Sequence, residues 1–169
     1  RAFWDEVNSW STPPRVLLTG TTGTNVVYVH PTARVRTIRE LGQGTERRLE
    51  SEFAYDNYGN EITNANHGIV VAGDRSAFND ERVTVTEYAI NPRAWLIRLP
   101  ARQVIQDEPG AAISRVEFFY DDETFTGNNL GQATLGNLTM KREWIDPASP
   151  SAFVNSVRTK FDAYGNPRT

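Results

Sequence analysis

The chain has 169 residues, enough for one domain that buries a sizeable core, or for one segment of a longer repetitive chain. Its hydrophobic share is 38%, with 23% charged residues and a net charge of -3, a globular composition without the basic stripe that nucleic-acid binding needs. No apolar run is long enough for a membrane helix, and with no cysteine present, disulfides, thiolate catalysis and Cys-based metal sites are excluded.

Phe3, Trp4, Val7 and Trp10 sit near helical spacing, and Ser11-Thr12-Pro13-Pro14 would stop such an element. They predict a short amphipathic segment covering one end of a sheet; an aromatic ligand-binding patch is the sharper alternative. Gly20-Thr21-Thr22-Gly23-Thr24 reads as a turn. It lacks the Gly-Lys-Ser/Thr ending of a phosphate loop. Val26-Val27-Tyr28-Val29 and Val35 to Arg39 read as strands, the second alternating apolar and charged residues, with a turn at Gly42-Gln43-Gly44. Leu49 to Tyr55 predicts the next strand. Asn64-Ala65-Asn66-His67-Gly68 predicts a turn, Gly73 to Asp80 a surface loop, and Arg82 to Tyr88 a strand broken by Asn91-Pro92.

Pro100 divides Trp95–Leu99 from Ala101–Ile105, which predicts an edge strand or two short ones. Asp107-Glu108-Pro109-Gly110 is a turn, Ile113 to Tyr120 a strand, Asp121 to Gly131 a polar loop, and Leu138 to Ile145 a strand. Asp146 to Pro150 turns again, and Phe153 to Phe161 leads to the C-terminal repeat. Short strands with Gly, Asn and Pro turns at fairly even spacing predict an all-β fold of antiparallel β-hairpins.

One local pattern occurs twice. Tyr55-Asp56-Asn57-Tyr58-Gly59-Asn60 and Phe161-Asp162-Ala163-Tyr164-Gly165-Asn166 share the order aromatic-Asp-x-Tyr-Gly-Asn. Asp and Asn bond their own backbone in turns, and Gly supplies a positive φ. Two weaker copies, Thr86-Glu87-Tyr88 and Glu117 to Asp121, each place a tyrosine at the expected end of a β run. Repeats of this kind point to stacked supersecondary units.

These cores resemble the YD repeat of Rhs proteins, the superfamily of the insecticidal toxin-complex B and C components and the teneurins. The resemblance spans about residues 45–169 and includes the passage Leu135-Gly136-Asn137-Leu138-Thr139. Residues 1–44 carry no such likeness and are β-rich only after about residue 25. The resemblance implies hairpins wound side by side into part of a spiralling sheet, a shell that holds a C-terminal toxin or effector polypeptide. It implies a non-catalytic, virulence-associated structural role, a secreted or cell-surface bacterial setting, and no cofactor. The partners implied are neighbouring repeats or other chains and an encapsulated polypeptide cargo, with no nucleic acid and no membrane insertion. Tyr55 and Asp56, like Phe161 and Asp162, would pack and hydrogen-bond against adjacent repeats. The chain begins at Arg1 without an initiator Met and stops just after a repeat turn, so it reads as a fragment whose open edges want partners.

Other chemistry is thinly represented. His30 and His67 stand in turn-like contexts without converging ligands. Asp121, Asp122 and Glu123, with Asn128 and Asn129, are the richest oxygen cluster and the candidate calcium site, though their spacing is not that of an EF-hand loop; a solvated loop is the plainer reading. Trp4, Trp10, Trp95 and Trp144 could stack on sugars, which makes an extracellular carbohydrate- or surface-binding β module the alternative function; such residues more often fill cores.

Overall fold

The computed structural model describes residues 2–19, 25–40, 46–107, 110–146 and 148–168. The turns expected at residues 20–24 and 42–44, at Glu108-Pro109 and at Pro147 lie outside the described residues. The strands in chain order are β1 (Ala2–Trp10), β2 (Arg15–Thr19), β3 (Asn25–Tyr28), β4 (Pro31–Glu40), β5 (Glu46–Tyr55), β6 (Glu61–Val70), β7 (Arg82–Asn91), β8 (Leu96–Gln106), β9 (Ala112–Tyr120), β10 (Leu138–Trp144), β11 (Phe153–Arg158), β12 (Lys160–Phe161) and β13 (Pro167–Arg168). One 3-10 turn, Pro92–Ala94, is the only helical element among the described residues. The fold is all-β. Nine strands form an antiparallel sheet in the order β1-β4-β5-β6-β7-β8-β9-β10-β11, and β2–β3 and β12–β13 form two-stranded ribbons. From β4 onward each strand of the large sheet pairs with its successor in the chain, the meander that consecutive hairpins generate.

By internal contacts the chain divides into two units, residues 1–84 with 107–110, and residues 85–106 with 111–169.

In the first unit, residues 2–10 form a strand, where helical spacing predicts a helix-like segment. β1 pairs with β4 from Ala2↔Glu40 to Ser9↔Ala33. Its aromatic and β-branched residues suit a pleated surface, and strand alternation puts Phe3 and Val7 on one face and Trp4 on the other. Side chains join the two strands: Arg39 to Asp5 at 2.5 Å, Arg34 to Glu6 at 3.5 Å, and the Arg36 guanidinium 4.5 Å from the Trp4 ring centre. Asn64 to Gly68 does not turn the chain either. β6 runs through it as a bulge, because Leu49 faces Ile69 while Ser51 faces Asn66. Gly68 takes φ +58°, and its N–H donates to Asn66 Oδ1 at 3.0 Å. The Asn-Gly chemistry that suggests a turn here accommodates an extra residue instead.

In the second unit, Pro100 does not interrupt its strand. β8 is continuous and lies between β7 and β9. The β8–β9 register covers Arg102 to Gln106, so Pro100 stands beyond it and its missing N–H costs that ladder no bond. Its carbonyl accepts the Tyr120 hydroxyl at 2.9 Å, and burial pushes that phenol up to about 12. Tyr88 lies inside β7, not at its end, since the strand continues to Asn91.

Both faces of this part of the sheet are covered. On one, Ala89, Ala101, Tyr120 and Ala133 are buried against Leu96, Leu99, Phe118, Leu130 and Leu138. The small alanines let the 121–137 loop lie close, held by Asn91 Nδ2 donating to the Ala133 carbonyl at 2.8 Å. Strand alternation puts Glu117 and Phe119 on the opposite face, with Phe119 paired to Met140; all three side chains are buried.

Candidate functional site

The two repeat cores fold alike. In the first, Asp56 Oδ1 accepts the N–H groups of Tyr58 (2.8 Å) and Asn60 (2.9 Å), and Oδ2 accepts Asn60 Nδ2 at 2.7 Å. In the second, Asp162 Oδ1 accepts the N–H groups of Tyr164 and Asn166, both at 2.9 Å, and Oδ2 accepts Asn166 Nδ2 at 3.1 Å. The backbone repeats too: Asp56 N–H bonds the Asn60 carbonyl and Asp162 N–H the Asn166 carbonyl, each at 2.9 Å. Gly59 and Gly165 take φ +81° and +80°. Each residue of the pattern has a task here. Asp closes the turn, Gly takes the left-handed step, and Asn locks the exit. These bonds lie within each turn. The N–H donors hold the Asp162 carboxyl below its ordinary value, the Asn166 backbone contributing most.

The leading aromatics differ in their settings. The Tyr55 ring lies 4.4 Å from His30 and 6.2 Å edge-on from Tyr28, between ring centres. Phe161 N–H donates to Glu123 Oε1 at 3.0 Å. His67 sits in the β6 bulge with Nε2 at 3.5 Å from Glu52.

The oxygens of the Asp121-Asp122-Glu123 cluster are turned to backbone donors. Asp121, at φ +62°, accepts N–H bonds from Thr134, Leu135, Gly136 and Asn137 at 2.8 to 3.1 Å. Burial raises its pKa, but those four donors outweigh burial and hold it below the ordinary value. Asp122 accepts from the N–H groups of Thr124, Thr126 and Gly127 and from both threonine hydroxyls. The cluster is the clasp of a loop, and among the described residues no group of three or more His, Cys, Asp or Glu is placed to hold a metal ion.

Trp95 is 78% exposed, while Trp4 and Trp10 are each more than half exposed. Trp144 is half-buried and its Nε1–H donates to the Ser149 carbonyl at 2.9 Å.

A cluster that the sequence reading passed over lies on the face of β7 to β10. Arg102 and Arg142 stand directly across from Glu117 on its two neighbouring strands. Glu117 Oε1 accepts Arg102 Nε (3.3 Å) and Arg115 Nε (2.8 Å), with a further contact from Arg115 Nη2; Oε2 accepts Arg142 Nε (2.6 Å) and Nη2 (2.5 Å). Its side chain is 0% exposed. Burial raises its pKa, but the bonds and charges of Arg115 and Arg142 prevail, and the carboxyl stays below its ordinary value. Arg102 continues the row to Glu87 through Nη1, at 3.0 and 3.1 Å to its two oxygens. Arg142 also lies 4.8 Å from the Phe119 ring centre and 4.5 Å from Phe153, and Arg115 5.2 Å from Phe153. Guanidinium planes, weakly hydrated and able to stack, suit such a half-buried arrangement. A cavity of about 320 Å³ opens beside them, with Arg102, Arg115, Gln106 and Trp144 among its walls. The available signal was a glutamate inside the apolar run Val116-Glu117-Phe118-Phe119, a residue that must meet partners if buried.

Compared with family models, curated proteins and solved structures, the chain matches none.

Proposed function

We propose that the chain is a non-catalytic structural segment of the Rhs/YD-repeat kind, secreted or cell-surface, contributing to a β-shell that encloses a C-terminal toxin or effector polypeptide. One observation carries the reading: the two Asp-x-Tyr-Gly-Asn turns share the same bonds from Asp and the same glycine φ. A hairpin is marginal alone, so a chain built from successive hairpins gains stability by stacking them side by side. Neighbouring repeats are then its natural partners. The test is proteinase K digestion of the chain expressed together with the polypeptide encoded after it. The expected result is survival of that downstream polypeptide while the sheet is folded. Its digestion at the rate of the free polypeptide, with the sheet intact by circular dichroism, would sink the proposal.

The alternative, a carbohydrate- or surface-binding module, draws on Phe3, Trp4 and Trp10, each more than half exposed on β1. A glycan array separates the two readings: saturable binding lost in Trp4→Ala favours the module, and no binding removes it.

A further inference from the structure

We propose that the cavity beside Glu117 binds a carboxylate carried on a flat apolar body, whether a free aryl alkanoate or the C-terminal aromatic residue of a peptide. The inference does not rest on the shell reading. Three observations combine.

The first is charge. Arg102, Arg115 and Arg142 face Glu117 and Glu87, so the cluster holds one more positive than negative charge. Glu117 is shared by all three guanidiniums. Glu87, the acidic residue in the cavity wall, is tied by both oxygens to Arg102. The uncompensated charge therefore lies on the Arg115–Arg142 side, of which Arg115 stands in the cavity wall, in a half-buried setting where an anion feels it strongly.

The second is shape. The volume of about 320 Å³ is at the lower end of small-ligand sites, the size of one aromatic group and its linker. Val104 and Ala112 supply an apolar floor, and Trp144 supplies a flat wall. That wall is preset, since its indole N–H is already bonded to the Ser149 carbonyl.

The third is polar convergence. Gln106 lines the same space as Arg102 and Arg115, so neutral and cationic donors meet there. A few placed polar groups in an apolar cleft are what fixes a ligand's orientation. Arg115 is held in the cavity wall by Glu117, which takes its Nε and Nη2 edge, and by Phe153 at 5.2 Å, so its charge is fixed in place there.

The test is an NMR titration of the whole chain, following the Trp144 indole N–H, assigned with Trp144→Phe. The probes are 3-phenylpropionate, its neutral amide, and a short peptide ending in phenylalanine with a free or an amidated C-terminus. Saturable shifts are expected with the acid, and at least tenfold weaker binding with the amide. Arg115→Gln should weaken the acid at least tenfold. Since that change also disturbs Glu117, Ala112→Leu, which fills the cavity floor without touching the ion pairs, should abolish the shifts in a chain that melts normally. Response to the free peptide alone or to the free acid alone would each support the site and name the ligand's source. Equal binding of acid and amide, unchanged binding in Ala112→Leu, or no saturation with any probe overturns the proposal.

Discussion

The Asp56 and Asp162 turns have the same hydrogen bonds and different surroundings. Asn60 is 2% exposed, and a Cβ on Gly59 would meet the Tyr28 ring at 3.2 Å. Asn166 is exposed, Tyr164 is 90% exposed, and the nearest atom to a Cβ on Gly165 is Asn137 Oδ1 at 3.7 Å. Identical backbone geometry in the two settings means that the turn is specified by its own residues. Its weight in the stability of the chain is set by whatever lies over it.

That separation can be broken experimentally. The largest effect is expected where burial reaches its limit, at Glu117. Glu117→Ala leaves three guanidiniums without their shared anion and should cost about 3–5 kcal/mol, read from urea unfolding. A cost below about 1 kcal/mol would mean that water already reaches the cluster. Next comes Asp56→Ala, which removes a partner of the buried Asn60 amide together with the two N–H bonds to Asp56 Oδ1 and should cost about 1–3 kcal/mol. Asp162→Ala removes the same bonds in the open and should lower the melting temperature less than half as far. Equal losses at the two sites would show that the turn itself, and not its cover, carries the energy.

The glycines sharpen the same contrast on a smaller scale. An alanine forced into the left-handed region costs about 1–2 kcal/mol, so Gly165→Ala should fall near the lower figure and Gly59→Ala at or above the upper, with Tyr28 in its way. The reverse order in thermal melts would refute the role given to Tyr28. The smallest effect is in acid. The backbone donors hold the Asp121 carboxyl below its ordinary value, so its contribution is complete above the unfolded-state pKa near 4 and is lost as the pH falls through the lower folded value. Asp121→Asn should therefore flatten the decline in urea midpoint below pH ~4. A decline as steep as the parent's would assign the acid sensitivity to other carboxylates.

Much of this fold is legible in the residues because strands and turns are local chemistry. Arg82 to Tyr88 alternates as a half-buried strand does, and the Asp-x-Tyr-Gly-Asn turns are built from adjacent residues. The departures have a common cause. Phe3, Trp4, Val7 and Trp10 match helical spacing, but a strand with apolar residues on both faces yields the same spacing, and pairing with β4 decides between them. Asn64 to Gly68 has turn chemistry that a bulge uses equally well. Pro100 looks like a strand breaker until its position beyond the β8–β9 ladder is known. The Glu117 cluster is the extreme case. Its members come from four strands, and no spacing within one segment announces that Arg102, Glu117 and Arg142 lie side by side.

That row also acts as an address. A meander of similar hairpins has many near-equivalent ways to mispair, and hydrophobic alternation alone rejects only odd slips. A slip of two residues keeps the faces correct. In one direction it would set Arg102 or Arg142 opposite Arg115, like charge against like. In the other it would leave the buried Glu117 carboxylate facing Val104 or Trp144, without a cation directly across. The same three arginines and one glutamate that make the face polar thus exclude the alignments that apolar packing would tolerate, and they do so on two strand junctions at once.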